Sequence, residues 1–289
     1  MMNWRKTLPI SVAMVIIAAA CIFLATPPHI FPSEPDEDRS AAIHNLEYIT
    51  TNIEMVMTSI ADSTESASVA LSSADSMESP DVQEALNGLL SESNYTLSYA
   101  AISPGGIIAA VAPDRYTKSI GVNISGSEPG DTILQTQKPF LSDAFIAKEG
   151  FTGIEFAWPV CSEKGIYKGS ILAMADPSEF VGGEIVAPPV EKEKGITVTV
   201  MQPDGFILYD RDTAQVGKNL FEDAPFTTYD SLQTLGKMIA ANEKGSGAYT
   251  FYRSPEKTGE AAQKHAYWDT CQCIGKEWRV ILFTEDGAV

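Results

Sequence analysis

Leu46, Ile49, Ile53, Val56 and Ile60 follow one another at steps of three and four residues, and only a helix gathers such a set on one face. The stripe continues through Ala67, Ala74 and Met77 with smaller side chains, so the spacing predicts one long helix. Ser79-Pro80 marks a break and restart, with Ser as cap and Pro in the first turn. Val82, Ala85, Leu86, Leu89 and Leu90 form the face of the second helix. Between Glu34 and Ser93 lie thirteen acids and one base, so residues 39–94 read as a solvated, negative helical arm with a single face to bury. That face serves docking onto the following domain together with some contact in a homodimer, because a stripe fading into Ala supports only a short coiled coil.

Ahead of the arm, Asn3 to Thr7 is a short basic head, and Leu8 to Ala25 carries no charge. Residues 1–26 therefore have the layout of a signal or membrane-anchor segment. Its length is at the lower limit of a transmembrane helix. Ala18-Ala19-Ala20 before Cys21 resembles a lipid-attachment box. The bases precede the apolar run and the acids follow it, which sends the rest of the chain to the extracytoplasmic side. The expected location is thus the outer face of the cell membrane, tethered by this segment or a lipid, or secreted if the leader is cleaved without lipidation. Residues 27–38, Pro-rich and acidic, read as a linker. The net charge is −18. Such a surface repels nucleic acid, which is excluded as a partner.

The periodicity changes near residue 97. Leu97 to Ser103, Ile107 to Ala112 and Ser119 to Ile124 are short apolar or alternating runs between Pro/Gly turns, followed by strands at Thr152 to Val160 and Ser170 to Ala175. Phe180 to Ile185 is expected to be a short helix, and Glu191 to Lys194 an inter-domain connection. A second unit repeats the order, with strands at Ile196 to Met201 and Phe206 to Tyr209, a helix at Ser231 to Ala241, and strands at Gly247 to Tyr252, Lys264 to Cys273 and Trp278 to Phe283. The expected class is α+β, with domains at 95–190 and 195–289.

Gln202-Pro203-Asp204-Gly205-Phe206-Ile207-Leu208-Tyr209-Asp210-Arg211-Asp212, running into Gln215-Val216-Gly217-Lys218-Asn219-Leu220-Phe221, resembles the signature of Cache domains, the extracellular sensing modules of chemoreceptors and sensor histidine kinases. Glu243 to Gly247, Tyr249, Phe251 and Trp278 to Ile281 are also similar to that family. The first unit resembles it more loosely, through Tyr116 to Ile124, Pro139 to Ser142, Phe151 to Val160 and Gly169 to Pro177. The resemblance covers residues 40 to 284. It implies a long N-terminal helix followed by two PAS-like antiparallel-sheet domains, a double Cache, with 95–190 membrane-distal and 195–289 membrane-proximal. It further implies a small organic metabolite as ligand, held in the distal domain. By position, Asp176 matches the acid that receives an amine in distal pockets, with Tyr116 and Trp158 as walls. Asp210 and Asp212 match the acidic strand end of the proximal domain, and they also suit a loop cap. The Arg-Trp-Tyr run of the amino-acid-binding subgroup is missing, which argues against an amino acid ligand.

From the residues alone, Tyr116, Arg115 and Lys118 offer an aromatic wall and cations for a carboxylate, and Asp176 offers the opposite charge. Asp176-Pro177 also suits a helix start. No phosphate loop, HExxH pair or Gly-x-Ser-x-Gly elbow occurs, and three histidines are thin material for acid–base work, so no enzyme is expected. No cofactor or metal is expected either. Cys271-Gln-Cys273 lacks zinc spacing, and the three cysteines beyond the leader allow at most one bridge. Asn94 and Asn123 open glycan-acceptor patterns. The reading is a sensing or binding module without an output domain, which reports through a membrane signalling partner or simply holds its ligand at the surface. A ligand-free structural or protein-interaction module of the envelope and, more remotely, an exported hydrolase stay open beside it.

Overall fold

The computed structural model describes residues 36–147, 150–186, 196–224, 226–252 and 261–285. Helix α1 (Asp36–Ala70) has 35 residues, about 52 Å of helix. Leu46, Ile49, Ile53, Val56, Met57 and Ile60 are all buried, as their spacing predicts. The stripe does not end where it fades to small residues: Ala67, Leu71, Ala74 and Met77 are buried too. Helix α2 (Pro80–Glu92) starts on its proline and buries Val82 and Leu86.

The first sheet contains β1 (Ser98–Ile102), β2 (Ile108–Ala112), β3 (Phe140–Leu141), β4 (Phe145–Ile146), β5 (Thr152–Cys161) and β6 (Tyr167–Ala175), in the order β2-β1-β6-β5-β3, with β4 paired to β5. The second contains β7 (Thr197–Met201), β8 (Ile207–Asp210), β9 (Gly245–Tyr252), β10 (Ala261–Cys273) and β11 (Lys276–Glu285), in the order β8-β7-β11-β10-β9. Every pairing is antiparallel. The two lobes repeat one another down to single hydrogen bonds. In the first hairpin Gly106 N–H donates to Ser103 O, and Ile108 N–H donates to Val122 O. In the second, Gly205 N–H donates to Gln202 O, and Ile207 N–H to Lys218 O. Gly106 and Gly205 hold φ of 80° and 94°, which the turn requires and a side chain resists. The result is a long helix followed by two PAS-like antiparallel lobes, a double-Cache-like α+β fold.

One helix serves both lobes. α1 packs on β5 and β6 of the first sheet and on β10 and β11 of the second. Ser68 Oγ donates to Pro159 O at 2.7 Å, and Glu54 Oε1 accepts from Gln272 N–H at 3.0 Å, so the helix is pinned to each sheet by a polar contact. Lys168 donates to Ser72 O and Ala74 O where the helical segment ends.

Several local expectations are revised. Ser119 to Ile124 is not a strand: a 3-10 turn covers Asp114–Ser119, and the following residues meet the sheet through the isolated bridge Ile107–Asn123 and a hydrogen bond from Gly121 N–H to Ile108 O. Helix α3 (Glu128–Thr136) is unanticipated. The short helix expected at Phe180 to Ile185 is present, as α4 (Pro177–Phe180) continued by a π-helix over Val181–Val186. α5 (Asp230–Ala241) lies where its apolar face predicts. Cys161, Cys271 and Cys273 are free thiols. Burial pushes the Cys273 thiol up to about 11 and that of Cys271 further, so neither is a ready thiolate.

The expected tether also needs correction. Among the described residues no helix is long and apolar enough to cross a membrane, so none of them supplies the transmembrane helix. The membrane-tethered localisation is therefore not carried forward. The segment 1–26 with Cys21, most of the linker 27–38 and the connection Glu191 to Lys194 lie outside the described residues.

Ile53 is fully buried between helix and sheets. Ile53→Ala is expected to cost about 2–5 kcal/mol, because the site cannot collapse around the lost atoms. Ser66→Ala on the exposed side of α1 should stay within about 0.5 kcal/mol. Urea unfolding followed by circular dichroism compares the two.

Candidate ligand-binding site

Strand alternation divides the first sheet into two faces. Tyr99, Ala101, Ile154, Phe156, Trp158, Val160, Ile171 and Ala173 belong to the core that includes the α1 stripe. The residues between them, Ala100, Ile102, Ala157 and Leu172, point the other way and form a separate apolar cluster with Ile133 of α3. On that second face lies a cavity of about 790 Å³. Ser98, Ala100, Ile102, Leu172, Met174 and Glu155 line it from the sheet. Arg115, Tyr116, Lys118, Ser119 and Val122 line it from the loop after β2, and Phe145 and Ala147 from the segment around β4. Ser125, Ser127 and Gly130 close it where α3 starts. Ser127 caps that helix by accepting from Gly130 N–H at 3.2 Å. A volume of this size, mostly apolar with a few polar groups, suits a small organic molecule.

Glu155 is the one acid among the lining residues. Its backbone is held at both ends: Glu155 N–H donates to Ser142 Oγ at 2.9 Å, and Glu155 O accepts from Ser142 N–H at 2.9 Å. Its carboxyl has no hydrogen-bond partner among the described residues, and burial followed by repulsion from Glu128 pushes it up to about 7. Near neutral pH it can be a proton donor or a carboxylate. Opposite stand the exposed cations Arg115 and Lys118, with the Arg115 guanidinium 5.0 Å from the centre of the Tyr116 ring. The cavity thus offers an acid on its sheet side and cations with an aromatic ring on its loop side.

Of the residues expected from the sequence, Arg115 and Tyr116 line the cavity, and so does Asn123. Asn123 is exposed, and its side chain accepts from Ser125 N–H at 2.8 Å. Trp158 sits three positions after Glu155, an odd step, and so faces the α1 core on the other side of the sheet. Asp176 is absent from the lining: the chain leaves β6 at Ala175, and the Asp176 carboxylate caps α4, accepting from Ser178 N–H at 2.8 Å. Burial is the main cause that raises Asp176. In the second lobe, burial raises Asp210 to about 6 while it accepts from Thr199 Oγ1 and from Asp212 N–H. Asp212 caps the 3-10 turn Thr213–Gln215. Both acids are engaged in local loop structure. Asn94 is exposed just after α2. Glu155, Met174 and Phe145 are among the lining groups that sequence reasoning missed. The one available signal was a lone charge, Glu155, inside an otherwise apolar strand.

Residues 55–177 match the sequence model of a family described as "HK/GC/Chemotaxis protein-like, sensor domain". No curated protein matches the chain. Among solved structures, an extracellular ligand-binding receptor from Desulfohalobium retbaense is 25% identical with a TM-score of 0.68; the match covers 83% of this chain and 39% of that one. The periplasmic sensory domain of the Campylobacter jejuni chemoreceptor Tlp1 is 15% identical, with a TM-score of 0.66 and 88% and 97% of the two chains covered. The ligand-binding domain of the Pseudomonas aeruginosa amino acid chemoreceptor PctB, in complex with L-Arg, is 13% identical, with a TM-score of 0.61 and coverage of 87% and 97%. Residues 55–177 are thus similar to a sensor domain, and the fold of the described residues is similar to that of extracellular sensory domains. These matches are to sensory and ligand-binding domains.

The raised acids make a pH prediction. Glu155 ordinarily titrates at 4.5 and here at about 7, and Asp210 at 3.8 and here at about 6. In those windows the folded state holds more protons than the unfolded one, so stability falls as pH rises. The melting temperature should drop between pH 5 and 7, and Glu155→Gln should flatten that drop relative to the native chain. Calorimetry across this range compares the two profiles.

Proposed function

We propose that this chain is an extracytoplasmic sensing or binding module whose ligand is a small organic metabolite bound in the first-lobe cavity. The single observation that carries this reading is the cavity itself, with Glu155 on one wall and Arg115, Tyr116 and Lys118 on another. We divide the chain accordingly into a helical arm at 39–94, a ligand-binding lobe at 95–190 and a second lobe at 195–289. Ligand-binding domains of similar fold form complexes with amino acids: PctB with L-Gln or L-Arg, and PctC with GABA. This sequence lacks the Arg-Trp-Tyr run of that subgroup, so the ligand is placed among small metabolites and not narrowed to amino acids. Asp176 and Trp158 are left out of the contact set, because one caps a helix and the other faces the helical core.

The test is a thermal-shift screen of the full chain against a chemically wide metabolite library. A ligand at 100 times its Kd should stabilise the native state by about 2.7 kcal/mol. Ala100→Trp, which fills the cavity from the sheet side, should abolish the shift. A folded chain that no metabolite stabilises counts against the reading.

A second partner is favoured by one observation. Tyr48, Met55 and Val69 on α1 are 43%, 63% and 66% exposed, at multiples of seven residues, on the side away from the buried stripe. Such spacing keeps apolar groups on one line along a helix, as a paired helix requires. We place a homodimer contact there. Sedimentation equilibrium should show dimer for the native chain and monomer for Met55→Glu.

A further inference from the structure

The cavity has a wall that the second lobe holds in place. Residues 142–147 run from β3 to just past β4, and Phe145 and Ala147 of this stretch line the cavity. On the inner side the stretch is bonded to β5, through the two Ser142–Glu155 hydrogen bonds and the pairing of Phe145 with Gly153. On the outer side it is bonded to the other lobe. Ala144 N–H donates to Gln202 Oε1 at 2.8 Å, and Gln202 Nε2 donates to Asp143 Oδ1 at 3.2 Å. Lys276, the first residue of β11, forms an ion pair with the same Asp143 oxygen. Ile146 approaches the backbone of Gly217 so closely that a Cβ there would lie 2.8 Å from its Cδ1.

Gln202 is not required by its own turn. At the equivalent place in the first lobe stands Ser103, whose hydroxyl folds back to accept from Ile107 N–H at 3.1 Å. Gln202 instead reaches across the lobe boundary, is only 6% exposed, and uses both ends of its amide, one as acceptor and one as donor. A glutamate could not reproduce the donor, and a shorter side chain could not span the gap.

We propose that Gln202, seconded by Lys276, is a positioning residue for the first-lobe cavity, holding residues 142–147 closed over Glu155 so that the second lobe governs the shape of the binding wall. The ligand role of that wall rests on the function proposed above. By linkage, a ligand that prefers the closed wall strengthens the contact between lobes, and loosening that contact weakens the ligand by the same factor.

The experiment needs no ligand. In the full chain carrying carboxyl-13C glutamate, the Glu155 resonance is identified by its loss in Glu155→Gln, and its titration midpoint is followed by NMR. In the native chain burial, followed by repulsion from Glu128, holds the midpoint up at about 7. Gln202→Ala should let water in and lower the midpoint by about one pH unit or more toward the ordinary carboxylate range. Lys276→Ala, a change at the partly exposed first residue of β11, should move it the same way by less and covers the case in which Gln202→Ala does not fold. Gln233→Ala cuts a hydrogen bond to Leu220 O wholly inside the second lobe and should leave the midpoint in place. A midpoint unmoved in the Gln202 and Lys276 variants overturns the proposal, as does an equal shift in Gln233→Ala. An unmoved midpoint would leave the metabolite reading standing, and a silent metabolite screen would leave the titration result standing.

Discussion

The burial of one face of α1 against two sheets is the contact on which everything else rests. Each of the large side chains on that face contributes about 1.5–3 kcal/mol by leaving water. The same stripe closes the core of both lobes, because Tyr99, Phe156, Val200 and Trp278 share one cluster with Ile49, Ile53 and Ile60. The sheets are therefore anchored to a common rod, and each presents its other face for separate use. In the first lobe that other face carries the cavity. In the second it carries a smaller apolar cluster around Trp268, Leu235 and Ile239, packed under α5.

The two lobes show how one backbone plan diverges at a site. Both hairpins make the same turn and receive the following loop through the same bonds, with Asn123 and Asn219 at matching bridges. Between the hairpin and the bridge the first lobe places Arg115, Tyr116 and Lys118 beside open space. In the second, Asp210 and Asp212 are used up holding the loop to itself, and Leu220 and Phe221 pack on the helix that follows. The open space of the first lobe resides in what those few loop positions leave unfilled, while the shared hydrogen bonds keep the frame.

Where a pattern repeats many times, the sequence predicts the structure well. The α1 stripe, the long strands and the Gln202 to Phe221 signature all carry several concordant residues, and each emerges where expected. Elements carried by two or three residues do not. β3 and β4 have two residues each, too few for alternation to show. α3 was hidden because Ile133 is its only fully buried large side chain. Ser119 to Ile124 alternates like a strand, yet its backbone bonds go to the β2 edge one bridge at a time. The site was half legible for the same reason. Arg115 and Tyr116 stand out by type, whereas separating Glu155 from Trp158 depends on which face of β5 is covered by α1. That choice is made by residues far away in the chain.

The polar contact between Glu54 and Gln272 joins positions 218 residues apart. Helix α1 is among the first parts of the domain to be synthesised, and β10 and β11, which cover half its buried face, are among the last. Until they arrive, Ile49, Ile53, Val56 and Ile60 have only part of their shelter. Contacts of such long sequence separation slow folding, since the loop between them must be closed before they form. Completion of this fold thus waits on the synthesis of β10 and β11, and a chain interrupted before β10 would display the greasy edge of its longest helix to any chaperone or protease nearby.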